Sequence, residues 1–139
     1  MQVELALEEL ETLASALVRL KFEDDEPPEP YFGSPRLAVA HRRIVDSIIL
    51  ESERIGDSGR AAQWESWRKW SARGYEKGVV VRYASSLDVW DQWGDGQKLE
   101  VLRTCSAPFA PSEEELEELR NEIDAVRNSP SSDGLSPGA

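Results

Sequence analysis

The sequence has little of what carries covalent or metal chemistry. Its 139 residues include one cysteine, Cys105, and one histidine, His41. A lone cysteine excludes an internal disulfide, and so few soft ligands exclude the usual zinc sites. Neither GxGxxG nor GxxxxGK[ST] occurs, so there is no glycine-rich phosphate cradle. The most apolar stretch, Arg43 to Leu50, falls far short of the roughly 18 residues that span a bilayer. The opening MQVELALEEL lacks a basic n-region, so no signal peptide is expected. Positive charge is scarce as well: 16 Lys and Arg face 27 Asp and Glu, for a net charge of −11. That balance disfavours whole-surface binding to nucleic acid or anionic membrane. The expectation is a cytoplasmic protein that touches neither a membrane nor nucleic acid directly.

Catalytic groups are equally thin. A hydrolytic triad needs a base beside its nucleophile, and His41 stands next to Arg42 and Arg43 on a predicted helix, while Cys105 has no CxxC or Gly-Cys elbow around it. Asp46, between Val45 and Ile48, is the one acid in an apolar setting, and pairing with Arg42 or Arg43 accounts for it. Asp88, Asp91 and Asp95 are close in sequence, but the alternating acids and closing glutamate of a calcium loop are absent. No catalytic residue, cofactor or metal is therefore expected.

What is present is charge, unevenly placed. Residues 1–30 carry nine acids and two bases, and residues 91–139 eleven acids and four bases, so each end holds −7. Residues 31–90 total +3 and contain four of the five tryptophans, with Trp93 just beyond. The ends therefore either close over the middle or present an acidic face to a basic partner.

Helical signals are strong in four places. Leu10, Leu13, Leu17 and Leu20, extended by Val3 and Leu7, form a stripe over 3–21. Ser34-Pro35 opens a helix over 35–55, with Leu37, Ala40, Ile44, Ile48 and Ile55 as its buried stripe, broadened by Val45 and Ile49, and Gly56 as its stop. Asp57 or Ser58 caps a third over 59–73 that Gly74 ends. Ser112 with Glu115 is a capping box for a fourth over 113–128, striped by Leu116, Leu119, Ile123 and Val126. Between them the period changes. Residues 78–84, with Val79, Val80, Val81 and Tyr83, and residues 98–104 read as strands. Residues 87–93 fit a short helix and 94–96 a turn. The expected fold is α+β, mostly helical: about four helices with a small two- or three-stranded sheet, in one domain over 1–128. Residues 23–33 are a proline- and acid-rich connection, and 129–139 a disordered tail.

Trp64, Trp67 and Trp70 form a band across one side of the third helix, beside Arg60, Arg68, Lys69 and Arg73. Such a band is either a small core or a protein-binding surface, since tryptophan is enriched in binding hot spots.

In size, acidity and lack of catalytic groups the chain resembles bacterial immunity and inhibitor proteins, a likeness of profile that no motif carries. It implies a non-enzymatic protein that neutralises a basic partner, a toxin or nuclease, by blocking its active site. The contact residues expected on this reading are Glu8, Glu11, Asp24, Asp25, Glu26, Glu114, Glu115 and Glu118, with Trp64, Trp67 and Trp70. The alternatives are a phage-type inhibitor or nucleic-acid mimic, a helical adaptor or complex subunit, and a carboxylate-dependent enzyme.

Overall fold

The computed structural model describes residues 1–23 and 26–129. The expected tail beyond Ser129 lies outside the described residues. Six α-helices follow one another: α1 Leu7–Phe22, α2 Pro35–Arg54, α3 Ser58–Trp67, α4 Gly74–Ser85, α5 Asp95–Ser106 and α6 Glu113–Arg127, with 3₁₀ turns at Trp70–Ala72 and Trp90–Gln92. Local chemistry explains several of the ends. The Leu37 amide donates to Ser34 Oγ at 3.2 Å, and the Arg60 amide to Asp57 Oδ1 at 3.1 Å. Between these helices Gly56 has a φ of 82°, a left-handed conformation that costs glycine nothing. Ser112 and Glu115 exchange side-chain and backbone bonds of 3.1 and 2.9 Å at the start of α6.

The expected sheet is overturned: no strand exists among the described residues, and six helices replace about four. Residues 78–84 are the second half of α4. Val79, Val80, Val81 and Ala84 are all buried there, because α4 packs on both α5 and α6 and buries a wide face. A continuous apolar run looks the same in a buried strand and in a buried helix. The β preference of valine is worth a fraction of a kcal/mol per residue, against ~1.5–3 kcal/mol for burying each side chain, so packing decides. Residues 98–104 belong to α5, whose buried Lys98, Leu102 and Cys105 recur at helical spacing. The alternation of Leu99 and Val101 comes from two half-buried residues packed against the core. Gly94 and Asp95 start this helix rather than form a turn. Gly74 starts α4 instead of ending α3, which stops at Trp67.

The stripe on α1 also turns. Leu7, Ala14, Lys21 and Phe22 are buried, while Leu13 and Leu20 are exposed. Ala14 lies where α1 meets α2, and its small side chain lets the helices approach. The buried His41 of α2 donates from Nε2 to the Ala14 carbonyl at 3.0 Å. On α2 the buried positions are Ala38, His41, Val45, Ile48, Ile49 and Ser52; Ile55 is exposed.

Two apolar clusters result. Leu7, Ala14, Val45, Ile48, Ile49 and Ala61 hold α1, α2 and α3 together. The larger one joins Phe22 and Phe32 to α4, α5 and α6 through Trp70, Trp90, Leu102, Phe109, Leu116 and Ile123. Trp67 packs against both. No helix among the described residues is long and apolar enough to cross a membrane.

Candidate functional site

The acidic N-terminal helix is partly spent on the interior. Glu11 on α1 accepts from Arg60 Nη2 at 2.6 Å and Nε at 2.8 Å, and from Trp64 Nε1 at 2.9 Å. Arg60 and Trp64 sit one helical turn apart on α3, so both reach one carboxylate. These bonds hold the Glu11 carboxyl below its ordinary pKa. Glu8 is exposed and 3.6 Å from the same guanidinium.

The three predicted tryptophans separate. Trp64 and Trp67 are half-buried and meet edge to face, with centroids 4.9 Å apart. Trp70, 1% exposed, turns inward because α3 ends before it, and packs 6.2 Å from the Phe109 ring. It therefore belongs to the core and leaves Trp64 and Trp67 at the surface. They line a cleft of about 660 Å³ with Ser15, Gln63, Ser66 and Arg73. The Arg73 guanidinium lies 5.4 Å from the Trp67 ring and 4.4 Å from that of Phe109, and Nη2 donates to the Trp67 carbonyl.

The C-terminal acids divide by face. Asp124 accepts from Trp90 Nε1 at 2.8 Å and Lys98 Nζ at 3.2 Å, and Arg127 pairs with Asp91 at 2.8 Å. Glu115 caps its own helix. By contrast Glu114, Glu117, Glu118 and Glu122 are exposed and make no ion pair among the described residues. Steps of three and four residues set them on one outward band of α6. Glu117 and Glu122 were not among the named contacts, although the helical period places them beside Glu114 and Glu118. Glu26 is exposed on the connection; Asp24 and Asp25 lie outside the described residues.

The groups weighed for chemistry are structural. Asp46 pairs with Arg68 at 2.6 Å, not with Arg42 or Arg43. Arg42 instead donates to the Arg103 carbonyl of α5. His41 is fully buried with Nδ1 unpartnered, and burial pushes its pKa down to about 4, so it is neutral near pH 7. Cys105 is buried and its thiol is pushed up to about 12, which keeps it from acting as a thiolate. The buried Lys21, missed in the sequence because it closes a helix of ordinary polarity, donates from Nζ to the carbonyls of Cys105 at 2.9 Å, Ala107 at 2.8 Å and Thr104 at 3.3 Å. It satisfies the open C-terminal carbonyls of α5. Among the described residues no cluster of His, Cys, Asp or Glu is placed to hold a metal ion. Comparison with known proteins finds no matching family model, no matching curated protein and no matching solved structure.

Proposed function

We propose that the chain is a non-enzymatic, cytoplasmic binding protein that docks its acidic face on a basic protein surface, such as the active-site cleft of a toxin or nuclease, and blocks it. The observation that carries this reading is the α6 band of Glu114, Glu117, Glu118 and Glu122, exposed and unpaired while neighbouring acids serve internal bonds. Carboxylates that stabilise nothing inside the protein are free to steer a cationic partner, and clustered on one helix face they add their fields. Glu8 and Glu26 add to the exposed negative charge. Glu11 and Glu115 do not, since each is held within the fold.

The test starts from the tagged full chain, with partners captured from its host and identified by mass spectrometry. Association with the purified partner is then followed at low and high salt. The on-rate should fall about tenfold or more as salt screens the field. Neutralising the α6 band (E114Q, E117Q, E118Q and E122Q together) should slow association by a similar factor with the thermal midpoint unchanged. An on-rate indifferent to both salt and this substitution sinks the proposal.

A further inference from the structure

The cleft between α1, α3 and the 3₁₀ turn after α3 is lined by a cation without a carboxylate partner. Arg54, Arg60, Arg68, Arg103 and Arg127 each hold a carboxylate. Arg73 forms no ion pair among the described residues, in a chain with 27 acids. Its charge rests on two aromatic faces and one backbone carbonyl. Its Nε is buried without a hydrogen-bond partner, and Nη1 donates to nothing among the described residues. A half-buried guanidinium without a carboxylate partner is a costly arrangement, and because Arg73 lines the cleft, an anion entering there gives its accessible donors a partner.

The surroundings narrow the ligand. Trp64 and Trp67 give the cleft flat apolar walls, while Gln63, Ser66 and Ser15 contribute neutral polar groups and no acid lines it. The volume of about 660 Å³ falls in the range of small-molecule sites, roughly 300–1,000 Å³. Arginine favours carboxylate through paired N–H donors, and tryptophan favours an aromatic ring. We propose that this cleft binds an aromatic carboxylate, its ring against Trp64 and Trp67 and its carboxylate on Arg73. The same chemistry is offered by a free aromatic acid and by an aromatic residue at the C-terminus of a peptide. The site is distinct from the α6 band, and its test does not depend on that band.

The native full chain is titrated with indole-3-acetate and with its neutral isostere indole-3-acetamide. A parallel arm uses a short peptide ending in tryptophan, with a free and with an amidated C-terminus. The indole N–H resonances of all five tryptophans are followed by NMR. The acid, or the free-ended peptide, should bind at least tenfold tighter than its neutral counterpart, with a Kd at or below about 1 mM, and shift Trp64 and Trp67. The arm that binds tighter identifies the source of the carboxylate. Arg73→Gln should abolish the preference and Arg73→Lys retain part of it. Since Arg73 also packs on Phe109, each variant counts only if its thermal midpoint stays within a few degrees of the native chain. The acid–amide comparison on the native chain needs no variant. Equal affinity for acid and amide, no saturable binding in either arm, or shifts confined to Trp70, Trp90 and Trp93 overturns the proposal.

Discussion

Arg60 lays its guanidinium across Glu11, with Nη2 2.6 Å from Oε1 and Nε 2.8 Å from Oε2, and so ties α3 to α1. The acid-rich N-terminus is thereby drawn partly inward onto the basic middle of the chain, and the Trp64 indole completes the clamp. The most outward-looking negative charge is left on α6.

Glu11→Gln should cost about 1–2 kcal/mol of stability, the range for charge-assisted hydrogen bonds at a partly exposed site, read as a lower urea midpoint with unchanged slope. Glu11 is held below its ordinary pKa of 4.5, so its contribution is complete above that value and is lost as pH falls through the native pKa. The variant should therefore show a shallower acid loss than the native chain. Equal stability at pH 7 would mean that the clamp contributes nothing.

His41 introduces a second acid sensitivity at higher pH. Its native pKa of about 4 lies below the 6.5 of an unperturbed histidine. Between these values the unfolded chain binds a proton that the native state refuses, so stability falls as pH drops from 6.5 towards 4. The full difference is about 3 kcal/mol. Urea titrations at pH 7, 6 and 5 should show the decline, and His41→Gln, which keeps a donor for the Ala14 carbonyl, should flatten it. A native chain equally stable at pH 7 and 5 would contradict the burial of a neutral ring.

Lys21 acts at the alkaline side. Burial lowers its pKa to about 8 from 10.5, so between those values the unfolded chain holds a proton that the native state has released, and this group makes stability rise with pH. Cys105 works against it above pH 9, because its thiol stays protonated to about 12 in the native state. The clean window is pH 8 to 9. There the native chain should gain stability relative to Lys21→Met, as measured by guanidinium titration. A constant difference between the two would show that Lys21 does not titrate in this range.

Cys105 is 0% exposed with its thiol pushed up to about 12, so a thiol reagent at pH 8 should modify it only through unfolding. The labelling rate should track the unfolding rate as denaturant is raised, and Lys21→Met, if destabilising, should accelerate it. Rapid labelling of the native chain would place the thiol at the surface.

Much of the helical layout was readable because it is written in short-range chemistry. Ser34 with Pro35, Asp57, and Ser112 with Glu115 each satisfy amides within three residues, so their effect needs no tertiary context. The errors share a different origin. Val79–Val81 and the spacing of Leu99 and Val101 carry only a period, which reports how many faces of an element are buried rather than which backbone it adopts. Ala14, His41, Lys21 and Ser52, which line the buried faces of α1 and α2, are small or polar and invisible to a hydrophobic pattern, so the leucine stripe of α1 finds Leu7 and Leu10 but puts Leu13 and Leu20 where Ala14 and Lys21 are buried. The candidate contacts were legible as an acidic excess. Which acids are free was not, because Arg60, Lys98 and Arg127 find their partners across 26 to 49 residues of sequence.

By itself the sequence determined the absences, namely no disulfide and no phosphate-loop motif, together with the net charge of −11, the concentration of that charge at the two ends, and the helix starts encoded in their caps. Tertiary structure alone decided that residues 78–84 and 98–104 are helical, that Trp70 is core while Trp64 and Trp67 wall a cleft beside Arg73, and that α6 rather than α1 keeps its outward acids unpaired. The physical reason is range. Caps and composition act within a few residues, whereas burial and ion pairing depend on which distant segments the folded chain brings within a few ångströms.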